Sequence, residues 1–413
     1  MKNRRNFLKN ASIGLVGLGL SSCKSNDHNK YPGQDNMLNP REQQHFYSKL
    51  KKSLLLSEDL IYLNTGSLGP SPAWLLERIH QLLRQLESNP VANNWGALGQ
   101  QMEAVRKKVA DLINAEKEEI ILTRNTTEGI NLMGTCFQLK AGGEILTTTH
   151  EHGGGENGLK YLAQKRGGSL RKMDLPLNIS DKQELVDFIK KQISRNTRVL
   201  MLSHISTITG LKMPFEEIAP YCRSRDILLI ADGAQAPGML KTDMKKLGVD
   251  VYASSGHKWL LGPKETGFVY IRKEMQEGLK NVFNSSSNAA YSASSGTRNV
   301  ASFIALGDII DWHLKTDPAE TEKRCRDLAT YCRQQLSTIK NSSLISPESP
   351  ELYGGMVSIS LEKEENHKVF NLMQDQQIII KRLPKYNGLR FSTHIFNNKE
   401  DIDQMTLALR NLT

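Results

Sequence analysis

Residues 227–238 read ILLIADGAQAPG, and residues 249–271 read VDVYASSGHKWLLGPKETGFVYI. The apolar run Ile227 to Ala231 has the length and composition of a strand buried on both faces of a parallel sheet. It stops at Asp232, with Gly233 and Gly238 as turn residues. A second expected strand, Val249 to Ala253, runs into Ser254, Ser255, Gly256, His257 and Lys258. An acid and a lysine thus fall just past the carboxyl ends of two strands, where open α/β sheets hold their ligands. Pyridoxal phosphate chemistry requires such a pair: a lysine amine that forms a Schiff base, and a carboxylate that pairs with the pyridinium nitrogen. Taken singly, Asp232 also reads as a helix cap and Lys258 as a solvated surface lysine.

Outward from this stretch, strand and helix patterns alternate. Toward the N-terminus lie a helix Phe215–Arg223, a strand Arg198–Ile205 ending in STITG (206–210), a helix Lys182–Ile193 and a strand Leu170–Leu175. Before them, a strand Glu144–Thr149 delivers HEHGGGE (150–156) ahead of a helix Asn157–Lys165. His150 and His152 at strand spacing, with Glu156 nearby, are one way to bind a metal; the other is one imidazole lying flat on an aromatic ring while the glycines let the backbone pass close. Further upstream, a strand from Glu119 runs into Thr126 and Thr127 at a helix start, a candidate phosphate cradle or a pair of capping threonines. Helical spacing marks Pro72–Leu86 and Leu98–Ile113. The small-residue loop NTGSLGP (64–70) suits close approach of backbone to a ligand.

Toward the C-terminus, Gly267–Ile271 is a strand, and the Ser- and Asn-rich segment Asn284–Thr297 is a loop long enough to need a function. Helices Val300–Leu314 and Thr321–Leu336 follow. The pattern then turns α+β: strand Gly355–Leu361, helix Glu364–Gln374, strands Ile378–Lys381 and Gly388–Ser392, helix Lys399–Arg410. The expected organisation is a signal at residues 1–22, a tether and arm at 23–57, a large domain at 58–310 and a small one at 311–413.

The 413 residues, with 38% hydrophobic and 24% charged, describe a soluble globular chain with a sizeable core. The net charge of +10 falls to +6 once Lys2, Arg4, Arg5 and Lys9 of the first 22 residues are set aside. No basic tract interleaved with aromatics points to nucleic acid. Five scattered cysteines fit neither a disulfide framework nor a CxxC metal site, so metal ligation is not expected. Arg4-Arg5-Asn6-Phe7-Leu8-Lys9 ahead of the apolar stretch Ala11–Leu20 resembles a twin-arginine export signal. Leu20-Ser21-Ser22-Cys23 resembles a lipobox, with Cys23 as the lipidated residue; the expected location is periplasmic and anchored to the membrane.

The ordered blocks TRNTTEG, EHGGGENG, SHISTITG, ADGAQAPG, SSGHKWLLGPKETG, SGTRN and LRFSTHIFNNKEDID, spread over residues 60–410, resemble class V aminotransferases. These are fold-type I pyridoxal phosphate enzymes that include cysteine desulfurases and isopenicillin N epimerase. The resemblance implies an aspartate aminotransferase-like fold, a mostly parallel seven-stranded sheet with helices on both faces plus a smaller α+β domain. It implies that Lys258 holds the cofactor and shuttles the α-proton, that Asp232 meets the ring nitrogen, that Gln235 reaches the phenolic oxygen and that His152 stacks on the ring. Thr126, Thr127, Ser255 and His257 match the phosphate ligands. Thr297 matches a threonine that reaches the phosphate of the neighbouring subunit, which implies a homodimer. Arg390 matches the arginine that grips the carboxylate of an amino acid substrate, with Asn64 and Ser67 in a loop beside it.

Two departures bear on the reaction. Ile378–Leu389 (IIIKRLPKYNGL) has no cysteine where desulfurases carry a persulfide, and Thr207 stands where they have an asparagine near the ring oxygen. Both lean toward the epimerase-like branch, with transamination or epimerisation expected. A β/γ-lyase, and a non-catalytic binding lipoprotein on the same fold, are the alternatives.

Overall fold

The computed structural model describes residues 40–137, 139–177, 179–278, 289–290 and 295–412. The export signal, Cys23 and most of the loop Asn284–Thr297 lie outside the described residues.

Thirteen strands are described, and seven of them form the central sheet. In chain order they are β1 (Ile61–Tyr62), β2 (Ile120–Thr123), β3 (Glu144–Thr148), β4 (Ser169–Met173), β5 (Thr197–Ser203), β6 (Leu228–Asp232) and β7 (Val251–Ser255). Then come β8 (Gly267–Ile271), β9 (Ser342–Leu344), β10 (Met356–Leu361), β11 (Ile378–Ile379), β12 (Lys381–Leu383) and β13 (Gly388–Ser392). The central order is β4-β3-β5-β6-β7-β8-β2. Strands β3 to β7 pair parallel, each pair needing a crossover, and helices supply it. Every residue of β3 and β7 is buried, and the one charged member, Glu144 at the start of β3, is paired with Arg171. Between β7 and β8 there is no crossover helix, so β8 returns antiparallel (Ser255 opposite Gly267). That short return carries Lys258. The mostly parallel α/β sheet is as expected.

One core lies between the sheet (Met201, Ile230, Val251, Ala253, Val269) and the helices Thr126–Cys136 and Gly153–Lys165. A second lies under the four-stranded antiparallel sheet β12-β13-β10-β9, with Val357, Ile359, Leu389 and Phe391 against Leu328, Cys332, Ile402 and Met405. Ile61 and Leu63, from near the start of the described chain, belong to this second core.

Two differences from the sequence reading matter below. The arm folds into a helix, Pro40–Ser53, docked by Phe46 stacked on Trp312 at 5.3 Å and by Lys51 on Asp401 at 2.6 Å. The single strand expected at Ile378–Lys381 is split. Ile378 and Ile379 pair parallel with β1, whereas Lys381 to Leu383 pair with β13, the chain changing sheets at Ile380.

Candidate active site

Four strands of the central sheet end together. Strand β3 leads to Glu151 and His152, β5 to Thr207, β6 to Asp232 and β7 to Ser255, His257 and Lys258. The order reverses between β3 and β5, the kind of switch point that opens a crevice above a doubly wound sheet.

Asp232 is 5% exposed, and its Oδ1 accepts from the Ala234 N–H at 2.9 Å. Burial pushes its carboxyl up, while Lys258 and His152 pull it back toward the charged form. Lys258 is lowered to about 8, chiefly by burial; Asp232 opposes that shift, and Arg390 and Lys381 add to it. The two residues therefore share one electrostatic neighbourhood.

Thr126 opens the helix Thr126–Cys136, whose cap is the Asn125 side chain accepting from Glu128 N. Its N–H donates to Ser255 Oγ at 3.0 Å, and the two hydroxyls lie 2.7 Å apart. Thr127 is exposed one residue on. His257 has a buried Nδ1 with no partner, and burial beside Lys258 and Lys264 lowers it to about 4, so the ring is neutral. His152 caps the helix Gly153–Lys165, its Nδ1 accepting from Gly154 N at 3.2 Å. That bond puts the proton of the neutral ring on Nε2, and the ring is exposed toward the crevice side of the fold.

The loop Asn64–Gly69 ties the two sheets together at the site. Gly69 N donates to His257 O at 2.8 Å, and a Cβ on Gly69 would sit 2.1 Å from Lys258 O. A side chain is therefore excluded at Gly69, while a Cβ on Gly66 would press on the side-chain ends of Ser392 (Oγ, 2.9 Å), Arg390 (Nη2, 3.0 Å) and Gln235 (Oε1, 3.1 Å). Gln235 is oriented by two bonds: Oε1 accepts from Trp259 Nε1 at 2.7 Å, and Nε2 donates to Gly66 O at 2.8 Å. An amide nitrogen has two hydrogens, so one remains for a ligand oxygen.

Arg390, on β13, is 1% exposed. Its Nη1 donates to Thr207 O (2.9 Å) and Thr207 Oγ1 (2.7 Å), and its Nη2 to Asn64 Oδ1 (3.3 Å) and Ser67 Oγ (3.2 Å). Nε has no partner, and burial alone lowers the group to about 10, with no carboxylate among the described residues acting on it. Thr207, expected beside a ring oxygen, is thus engaged with the arginine. Thr297 is exposed ahead of the helix Val300–Lys315. Among the described residues no cluster of three or more His, Cys, Asp or Glu is placed to hold a metal. His150 and Glu156 are engaged elsewhere, Glu156 with Lys160 and Lys172 at 2.7 Å each.

Three residues were not singled out in the sequence. Glu151 accepts from Ser203 N, Ser203 Oγ and Thr148 Oγ1, and burial raises it to about 7, with Asp232 adding to the rise. Its only sequence signal was an acid between two histidines at a strand end. Trp259 follows Lys258 directly and holds Gln235. Lys381 stood at the end of an expected strand, in a segment read for a cysteine and not for a cation.

The donor set fits pyridoxal phosphate. A buried carboxylate lies beside a lysine with a lowered amine, hydroxyls and a helix N-terminus converge where a phosphate would sit, and His257 keeps an orphaned buried nitrogen.

Comparisons with known proteins agree with this geometry. A family profile described as Aminotransferase class-V matches residues 61–405. Isopenicillin N epimerase of Streptomyces clavuligerus is 28% identical over 392 residues, covering 89% of this chain and 98% of its own. A probable cysteine desulfurase of Halalkalibacterium halodurans is 28% identical over 381 residues, covering 85% and 92%. Among solved structures, a C-DES mutant with glycine covalently linked to its PLP cofactor superposes with a TM-score of 0.77 at 23% identity, covering 86% of this chain and 97% of that one.

Proposed function

The chain belongs to the class V aminotransferase family, whose members are pyridoxal phosphate enzymes, and from that premise we propose that it removes the α-proton of an amino acid, as an aminotransferase or as an epimerase akin to isopenicillin N epimerase. Arg390 carries this reading. A guanidinium so fully buried is costly unless an anion arrives to pair with it. Thr207, Asn64 and Ser67 occupy its two Nη groups, its Nε–H is left for a carboxylate oxygen, and its charge reaches Lys258, so one small molecule can meet both.

When bound, the cofactor supplies a sink for the electron pair left on the α-carbon. Lys258 Nζ is the amine that would hold its aldehyde carbon and, once displaced, the base that takes the α-proton. Asp232 would hold positive charge on the ring nitrogen, a contact strengthened by the low dielectric around it. Ser255, Thr126, Thr127 and His257 would hold the phosphate, His152 would cover one ring face, and the free N–H of Gln235 would meet the phenolic oxygen. Thr207, Asn64 and Ser67 hold Arg390 in position for the substrate carboxylate. Where the proton returns decides between inversion and amine transfer.

Among the described residues a sulfur-accepting thiol has no support. The four described cysteines, Cys136, Cys222, Cys325 and Cys332, are buried, and burial pushes Cys222 and Cys325 up to about 12.

The test is a screen of L- and D-amino acids against the cofactor-loaded protein, with and without a 2-oxo acid acceptor, followed by cofactor absorbance and product analysis. Amine exchange that needs the 2-oxo acid identifies a transferase, and racemisation without it an epimerase. Release of ammonia with loss of a side-chain group identifies the lyase alternative. Silence toward every amino acid would reject the proposal and leave a binding lipoprotein. We also propose a homodimer in which Thr297 reaches the partner's phosphate site, and export with anchoring at Cys23. A monomer by light scattering would overturn the first, and unchanged membrane attachment of Cys23→Ala the second.

A further inference from the structure

Strand β12 lies at the edge of the four-stranded sheet, and its Lys381 stands directly opposite Arg390 of β13. Directly opposed residues of an antiparallel pair project to the same face, so both cations face the crevice side. Like charges in that arrangement destabilise a sheet unless an anion lies between or beside them. Among the described residues no acid acts on either of them. Burial lowers Lys381, and the other charges acting on it, Arg390 and Arg382, are positive.

The two cations are not equivalent. Arg390 is sunk behind the loop and anchored by Thr207, Asn64 and Ser67, while Lys381 keeps contact with solvent. Lys381 nevertheless reaches the site, since its charge acts on both His152 and Lys258. Beyond it, the turn Pro384–Tyr386 brings Lys385 toward His150, with the Tyr386 ring edge-on to that imidazole at 5.8 Å. One wall of the mouth is therefore cationic from the buried Arg390 outward to Lys381, and at its outer end Lys385 is joined by Asp174, whose charge acts on the same imidazole.

We propose that the substrate is an acidic α-amino acid, its α-carboxylate on Arg390 and a distal carboxylate on Lys381. This rests on the reading of the site as one for amino acids. Arg390 is 1% exposed while Lys381 is exposed, so the pair offers one inner and one outer place for the two carboxylates of a single molecule. The anion neutralises the opposed pair and selects substrates whose side chain ends in negative charge.

The experiment measures apparent dissociation constants from the change in cofactor absorbance. Acidic amino acids with one, two or three methylenes before the distal carboxylate are compared with their side-chain amides, using wild type, Lys381→Ala, Lys381→Gln and Lys381→Arg. One acid of the series should bind about tenfold more tightly than its amide, the size of a charge-assisted contact at a partly exposed position. Lys381→Ala and Lys381→Gln should erase that preference while leaving the amide within about twofold, and Lys381→Arg should keep most of it. Three results would overturn the proposal: no preference in the wild type, equal weakening of acid and amide by Lys381→Ala, or loss of cofactor affinity in that variant. If neutral amino acids perturb the cofactor and acids show no advantage, only this inference fails. If no amino acid does, the amino acid reading falls with it.

Discussion

Burial strips water from the Lys258 amine and holds it near 8; the attraction of Asp232 opposes this, and Arg390 and Lys381 reinforce it. A neutral amine is the nucleophile and base, and the neutral fraction grows as pH rises through that value. With the cofactor stripped, the rate of recapture of pyridoxal phosphate by Lys258 should therefore climb about tenfold per pH unit below 8 and level off above it. A rise continuing toward the ordinary lysine value of about 10.4 would mean that the amine is solvated. Glu151 completes the picture at this scale. Its carboxyl, raised to about 7, lies close enough to Asp232 for the two charges to interact, and hydroxyls of Ser203 and Thr148 hold it.

Among the elements, the loop Asn64–Gly69 decides most about the site because it touches both halves. Its backbone meets His257 on one side, its Asn64 and Ser67 side chains meet Arg390 on the other, and the approach at Gly69 leaves no space for a methyl group. Gly69→Ala should shift the loop by roughly the ångström that separates productive from unproductive geometry. The expected loss in kcat/KM is about a hundredfold with little change in far-UV circular dichroism. Unaltered kinetics would show that the loop does not set the position of Ser67 and Arg390. The split of β11 from β12 belongs to the same scale. By leaving the β1 pairing at Ile380, the chain lets Lys381 pair opposite Arg390.

Across the whole molecule, the start of the described chain is built into its end. Strand β1 pairs with β11, Leu63 O accepts from Ser392 N at 2.7 Å, and Leu63 is fully buried in the second core. Leu63→Ala should cost about 2–5 kcal/mol in denaturant unfolding. Because Asn64 and Ser67 follow it and hold Arg390, the same change should weaken amino acid binding, read by cofactor absorbance. Destabilisation with unchanged affinity would separate the core from the carboxylate grip.

The apolar runs that end at Asp232 and Ser255, and the helical and strand periods around them, were enough to specify a mostly parallel sheet with an acid and a lysine at its carboxyl edge, because side-chain period and burial are local properties of a chain. The order of motifs likewise marked Thr126, His152, Gln235 and Arg390. What no local pattern carries is which distant residues face one another. That Thr207 would hold a guanidinium rather than meet a ring oxygen depends on a pairing across 183 residues, that Trp259 would fix Gln235 on one across 24, and that Lys381 would oppose Arg390 on a strand that changes sheets. The electrostatics follow the same division. Residue types could be read in advance, but the lowered lysine, the raised Glu151 and the uncompensated arginine arise from desolvation, and only packing removes water.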